Sequence, residues 1–381
     1  MVDPESQTRM RGEIAERMRA DKALLDTLRS EIRPYRDNVR RIQPRSTTSV
    51  SLVATDGGNN KLQFDPFLVQ LVRVVDSSNN EYCLETVSPT TDVAALAQKQ
   101  FATDGTPKTA LGHLMVALGV STLPDLSHMI RRNDDGQPTS PSWIQVYREL
   151  VEWAILFSLI RTHTFGSDTL IVCDGLLRSK VFSGVLFNRL MRAFEAAINE
   201  QYATRKRRIY LVGVAKHNAA IARYRLAMAL EQILTTPYPA YLEVPRELEA
   251  KAYVWGEYAR GNTEEIAGRE LNKYVGGKMF FVKFGSHPRD PIWPVDVFEP
   301  QVAQAPAILG FMLGDALNGF PVPCYPQCLQ KAHENAALVD FDFTIFQDYI
   351  FDGIREALGT EGTALDVFRL QDVDPSLRRY E

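Results

Sequence analysis

Two aspartates, each followed by glycine after an apolar run, are the residues of this chain best placed to do chemistry. The first closes Ser51-Leu52-Val53-Ala54-Thr55-Asp56-Gly57-Gly58 and the second closes Asp168-Thr169-Leu170-Ile171-Val172-Cys173-Asp174-Gly175. In open α/β sheets ligands bind just outside strand ends. A carboxylate there, followed by a glycine that lets a ligand reach the backbone, suits a metal ion or a phosphate. An Asp-Gly step by itself can simply open a turn. Two such ends on neighbouring strands would bring two carboxylates together. That is the demand of two-metal phosphodiester hydrolysis, in which divalent ions about 3.5–4 Å apart stabilise both the attacking and the leaving oxygen.

Other residues suit the same chemistry. Glu149 and Glu152 lie three apart on a helical pattern and so share a face. Glu152 is favoured, because it falls nearer the apolar stripe of Val151, Ile155 and Leu156. Lys216, in Val214-Ala215-Lys216-His217, would stand at a strand end and can neutralise a scissile phosphate. Tyr325, Leu329 and His333 fall at i, i+4 and i+8 of a helical pattern, which makes His333 a candidate imidazole ligand with Tyr325 near it. A histidine on such a stripe is otherwise a core residue. The stretch Phe281 to Pro294 interleaves aromatic and basic residues, a composition that suits single-stranded nucleic acid and equally an edge strand with a Pro-stiffened loop.

These residues need elements to hold them. Periodicity predicts a helix over 5–33, then three strands at 49–56, Phe67–Val75 and Glu81–Val87 joined by short links. A helix over 142–161, a strand at 169–173, a helix over 181–199, a strand at 208–214 and a helix over 218–234 follow. A strand at Met279–Phe284 and helices over 302–318, 325–338 and 344–358 complete the chain. The expected fold is α/β: a mixed five-stranded sheet flanked by helices, with an N-terminal helix and a C-terminal helical elaboration. The expected division is an N-terminal helical segment at 1–45, a catalytic domain at 46–340 with its core at about 49–235, and a C-terminal helix and tail at 341–381.

Composition sets bounds on function. The 381 residues carry a formal net charge of −4, which argues against a protein that coats nucleic acid through bulk charge. Positive charge is local: eleven Lys and Arg against eight Asp and Glu in residues 1–45, and the run Arg205-Lys206-Arg207-Arg208. No run of about 18 apolar residues and no apolar leader occur, and Cys324-x3-Cys328 lacks a second pair at zinc spacing. A reduced, cytoplasmic protein without a membrane anchor is expected. No G-x-x-x-x-G-K-[ST] loop is present, so ATP hydrolysis, and with it an actin-like phosphotransferase, is not expected.

Five motifs in order resemble the NurA family of prokaryotic nucleases. They are Asp56-Gly57, the Arg/Glu helix at 148–152, Asp-Gly-x-Leu at 174–177, Val-Gly-Val-x-Lys at 212–216 and Tyr-Pro-x-x-Leu-x-x-Ala-His at 325–333. They span about residues 50 to 340. The resemblance implies an RNase H-like core and manganese-dependent cleavage of DNA from 5′ ends with some endonuclease activity. It further implies a homodimer working beside a hexameric HerA-type ATPase, in DNA-end processing or in defence against phage. It places metal-binding carboxylates at Asp56 and Asp174, an acid at Glu149 or Glu152, the histidine at His333, and accessory roles at Lys216 and Tyr325. Mn²⁺ or Mg²⁺, as two ions, would be the cofactor. The chain departs from the family in Gly58 where serine is common, in Leu176 where a small polar residue is usual, and in a long segment from Thr162 to Asp168. None of these removes a candidate ligand. The competing reading is a non-catalytic nucleic-acid or ATPase adaptor on the same fold.

Overall fold

The computed structural model describes residues 3–45, 50–64, 67–133, 142–252, 274–337, 340–359 and 362, with 50–64, 67–68, 340, 341 and 343 described by backbone alone. Two helices, α1 (Pro4–Ala20) and α2 (Lys22–Ile32), lead into a two-residue strand β1 (Arg40–Arg41). The meander β2 (Val50–Phe64), β3 (Phe67–Asp76) and β4 (Glu81–Val87) follows, then the short helices α3 (Val93–Gln98), α4 (Ala110–Leu118) and α5 (Leu123–Leu126). Alternation begins with α6 (Trp143–Thr162), β5 (Asp168–Asp174), α7 (Leu186–Arg205), β6 (Ile209–Val214) and α8 (Ala219–Leu230). After these come β7 (Ala240–Glu243), α9 (Arg246–Ala252), β8 (Gly277–Lys283) and β9 (Trp293–Phe298), and finally α10 (Ala305–Leu317), α11 (Gln327–Ala336) and α12 (Asp340–Leu358).

All the described strands join one mixed sheet in the order β1-β7-β8-β9-β6-β5-β2-β3-β4. The five strands read from the sequence are adjacent in it, as β4-β3-β2-β5-β6. β3 is antiparallel to β2 and β4, while β2, β5 and β6 are parallel. This is the arrangement expected of an RNase H-like core. Beyond β6 the sheet continues through four further antiparallel strands, of which only β8 was read as a strand.

β6 is buried along its length and β5 from Thr169 to Cys173, as parallel strands covered on both faces must be. On one face Ile171 and Cys173 pack with Leu150 and Ala154 of α6 and with Leu190 and Phe194 of α7. On the other, Leu170 and Val172 pack with Ile308, Leu309 and Met312 of α10 and with Leu329 and Ala332 of α11. A third apolar cluster joins α8, β7 and β8 to Ile32 at the end of α2. No helix among the described residues is long and apolar enough to cross a membrane.

Several boundaries differ from the sequence reading. α7 begins at Leu186 and not at 181, because Gly184 at φ 55° keeps 181–185 in a turn. α8 spans Ala219–Leu230 where 218–234 was expected: Asn218 is its cap, its side chain accepting from the Ile221 N–H at 2.7 Å. The aromatic stretch from Phe281 turns inward: Phe281, Lys283 and Phe284 are fully buried and Trp293 nearly so, which leaves none of these rings to stack on nucleic acid.

The helix expected over 5–33 is two helices that part at Asp21 and have different surroundings. α1 buries nothing, and its Met10, Ile14 and Met18 are exposed. α2 lies along α8 and is pinned through the Glu231 carboxylate, which accepts from Arg33 Nε at 2.8 Å and Arg29 Nε at 2.7 Å. Those two arginines hold Glu231 down at about 2, against an ordinary 4.5. A carboxyl lowered in this way stabilises the fold above its ordinary value, and the contribution fades as pH falls from 4.5 toward 2. Glu231→Gln should therefore loosen α2 at neutral pH, lowering the melting temperature by a few degrees and exposing the α1–α2 segment to limited proteolysis. The gap between variant and wild type should close in acid; an equal gap at every pH would contradict this role.

Candidate functional site

The site is built at the carboxyl ends of the parallel strands. β5 is apolar and buried up to Cys173, then ends at the exposed Asp174. The turn after it needs glycine: Gly175 sits at φ 89°, and its N–H donates to the Val214 carbonyl at 2.8 Å. The same turn explains the glycine of Val212-Gly213-Val214. A Cβ on Gly213 would lie 2.5 Å from the Gly175 oxygen and 2.8 Å from the Leu177 nitrogen, so only glycine lets the chain after Asp174 cross β6.

Asp174 Oδ1 accepts a hydrogen bond from the Tyr325 hydroxyl at 3.4 Å. The Tyr325 ring is buried, with the Trp293 ring edge-on at 4.8 Å and the Lys216 ammonium 5.8 Å from its centroid. Asp174, Lys216 and Tyr325, distant in sequence, are thus brought together. Tyr325 does so from the turn before α11, since the helix begins only at Gln327.

Asp56 holds a different place from the one read in the sequence. Its strand does not stop there: β2 runs on to Phe64, because Gly57 to Phe64 pair with β3, and this pairing overrides the turn tendency of Gly57-Gly58. What ends near Asp56 is the parallel pairing with β5, whose last partners are Thr55 and Cys173. One residue further on, Asp56 stands level with Asp174 on the adjacent strand. Neighbouring strands lie about 4.8 Å apart. The Asp56 side chain lies outside the described residues.

α6 supplies the acids. Glu149 and Glu152 line one cleft with Asp174, together with Arg148, Cys173 and Arg178, in a cavity of about 230 Å³. Their surroundings differ. Glu149 Oε1 accepts a short hydrogen bond from the Ser179 hydroxyl, and burial raises its carboxyl above the ordinary value of 4.5 while Ser179 opposes the shift. Glu152 is paired with Arg148, Nε to Oε1 at 3.3 Å, one helical turn away. Between the strand and the helix, the Cys173 thiol is pushed well up by burial, with Glu152 and Asp174 adding to the effect. It therefore stays protonated and is a poor nucleophile.

Arg178 and Ser179 were not read from the sequence. The buried Arg178 guanidinium makes a two-pronged contact with Asp296 of β9, Nε to Oδ2 at 2.7 Å and Nη2 to Oδ1 at 2.9 Å. Its Nη1 lies 2.9 Å from Glu249 of α9, and Glu249 is paired in turn with Arg246 at 3.0 Å. On the other side, Lys283 carries a buried ammonium that donates to the carbonyls of Thr236, Tyr238, Gly285 and His287 at 2.7–3.2 Å. It anchors the start of the loop that leads to Trp293.

His333 is exposed on α11, above the buried Leu329 and Ala332, so it is not a core histidine. α11 lies against β2, β3 and β5, the strands of both aspartates and the one between β2 and the edge. Arg73 Nη1 donates to the Asn335 carbonyl at 2.7 Å and Asn335 Nδ2 to the Asp76 carbonyl at 3.1 Å, tying the end of α11 to β3. Among the described residues, no three His, Cys, Asp or Glu side chains are grouped closely enough to hold a metal ion.

No protein-family model matches the chain, and no curated protein matches it. Among solved structures it is similar to the crystal structure of the NurA nuclease from Sulfolobus solfataricus, at 11% identity over 92% of this chain and 98% of that one, with a TM-score of 0.47. It is similar also to a crystal structure of NurA, at 10% identity over 93% and 98% with a TM-score of 0.44. A crystal structure of NurA with manganese gives 12% identity over 90% and 97%, with a TM-score of 0.36.

The raised Glu149 carboxyl has a measurable consequence. A carboxyl whose value rises on folding holds a proton the unfolded chain has lost, so its penalty on stability appears as pH climbs above 4.5. Glu149→Gln should raise the melting temperature near neutral pH, and the gain should vanish in acid. A variant that melts lower than wild type at pH 7 would show that the carboxylate is compensated in the fold.

Proposed function

We propose that the chain is a divalent-metal-dependent deoxyribonuclease that hydrolyses phosphodiester bonds. The observation that carries this reading is the convergence of Asp174, Glu149 and Glu152 on one cleft, level with Asp56 on the adjacent strand and backed by Tyr325 and Lys216. A cleft lined by three carboxylates suits a divalent cation, through which an anionic, phosphate-bearing substrate would be held. The motif resemblance at 56–57, 148–152, 174–177, 212–216 and 325–333 gives the same reading its polarity: exonuclease action in the 5′ to 3′ direction with endonuclease activity.

The donor types suit a hard divalent ion, although among the described residues Asp174, Glu152 and His333 do not by themselves form a metal-holding group. Carboxylate oxygens suit Mg²⁺ or Mn²⁺, and one imidazole tilts the preference toward Mn²⁺. Asp56, Asp174, Glu152 and His333 would hold two ions. When bound, such ions stabilise charge on the phosphoryl oxygens and on the attacking and leaving oxygens. The remaining roles fall to the chain. Tyr325 restrains the Asp174 carboxylate and is itself braced by Trp293. Lys216 offers a positive charge to the phosphate. Arg148 orients Glu152, and Ser179 orients Glu149.

The same reading makes the active form a homodimer acting on DNA beside a HerA-type hexameric ATPase, in end processing or phage defence in the cytoplasm. The exposed Met10, Ile14 and Met18 stripe of α1 is the surface proposed to meet the second subunit or the ATPase.

Asp174→Ala and Asp56→Ala should each cut Mn²⁺-dependent cleavage of linear DNA by more than about a hundredfold while the protein stays folded. Cleavage at the wild-type rate in either would sink the site. His333→Ala should raise the Mn²⁺ concentration needed for half-maximal cleavage by about tenfold or more. Because His333 is exposed, its melting temperature should not move. An unaltered Mn²⁺ requirement in that variant would remove His333 from the ligand set.

A further inference from the structure

The basic run Arg205-Lys206-Arg207-Arg208 takes no part in the cleft. It joins α7 to β6 at the opposite end of the sheet from Asp174, and the length of β6 puts about 20 Å between them at 3.3 Å per residue. Lys206, at φ 57°, ends α7 and turns the following residues away from the helix. Basic residues in the last turn of a helix ordinarily complement its dipole, which accounts for Arg205 but not for the residues beyond it.

A cavity of about 380 Å³ opens beside the run, lined by Asn199, Tyr202, Arg208, Tyr210 and Gln304, with Glu195 as its acidic member. Tyr202 is 47% exposed, and two cations attend its ring: Lys206 Nζ and Arg208 Cζ, each 5.7 Å from the centroid. An accessible ring with amides beside it, and with Lys206 and Arg208 against it at the head of a basic run, has the parts that single-stranded nucleic acid needs: a surface for a base, polar groups for its edge, and cations for the backbone. A duplex keeps its bases stacked inside and could not use the ring.

We propose that this cavity is a second nucleic-acid site, in which a base of a single strand stacks on Tyr202 while the 205–208 run holds the flanking phosphates. It rests on the reading of the cleft as a nuclease site, and lets a strand engaged at Asp174 be gripped at a distance from the cut.

The test uses the full chain carrying Asp174→Ala, so that DNA is bound without being cut, and a fluorescent oligothymidylate of about 20 nucleotides read by anisotropy. Adding Tyr202→Ala should weaken binding at least about fivefold. Adding Arg208→Glu should flatten the dependence of log affinity on log salt by about 0.7 or more. In the chain that retains Asp174, Tyr202→Ala should leave cleavage of a dinucleotide, too short to reach both sites, unchanged. Unaltered oligothymidylate affinity in both variants would overturn the site, as it would if the basic face served an acidic protein segment. A parallel fall in dinucleotide cleavage would overturn it too, by showing that Tyr202 supports the cleft. If the chain neither binds oligothymidylate nor cleaves any DNA, the nuclease reading falls with it, an outcome distinct from cleavage that persists without a Tyr202 effect.

Discussion

The cleft depends on one buried cation. Arg178 follows Asp174 by four residues and is gripped by Asp296 from β9 and Glu249 from α9, two carboxylates from elements far along the chain. A lone guanidinium in the interior would be prohibitive, and two lone carboxylates more so. Arg246 extends the group outward, pairing with Glu249 at 3.0 Å and with the partly exposed Glu299 at 2.9 Å, so every buried charge has a partner of opposite sign. Such a group contributes little net stability compared with apolar packing of the same volume, but it accepts very few geometries. That selectivity is its use here. The turn after Asp174 is fixed by it at one end and by the Gly175 contact with Val214 at the other.

From that fixed turn the rest of the site follows. Ser179, next to Arg178, reaches across to Glu149, so the strand-end turn and α6 are registered against each other by one hydroxyl. The two acids of α6 consequently differ in kind. Glu152 stands with a cationic partner, Arg148, one turn away. Glu149 sits deeper, where burial favours its protonated form. Two carboxyls on one helical face, three residues apart, are thereby given unlike surroundings, one beside a guanidinium and one buried against a hydroxyl.

The core of the sheet was legible because its signals are local. β2 to β6 announce themselves by β-branched runs and alternation, and α6 by a long apolar periodicity. β7 and β9 were not, since four- and six-residue strands, one of them carrying Trp293-Pro294, are strands only because β8 lies between them. Gly57-Gly58 misled for the opposite reason: local turn chemistry yields to ten paired positions along β3. Asp174, Tyr325 and Lys216 could be picked out one by one from their motifs, and the structure gathers them. Arg178 could not, because an arginine in Leu176-Leu177-Arg178-Ser179 acquires meaning only from Glu249 and Asp296, some 70 and 120 residues away. The aromatic stretch at 281–294 reads like a nucleic-acid face in composition, and burial assigns its rings to the core.

Lys283 has a consequence of its own. Four carbonyls from two loops converge on its ammonium, which has only three protons, so at least two of the carbonyls share one. A coordination shell of main-chain oxygens around a single positive centre is how many proteins hold a structural alkali or alkaline-earth ion. Here the ion is tethered by its own side chain. It cannot be exchanged, diluted out or stripped by a chelator, and it arrives with the strand when the sheet forms. The wall carrying Trp293, and behind it the ring of Tyr325, is therefore insulated from the ionic composition of the medium.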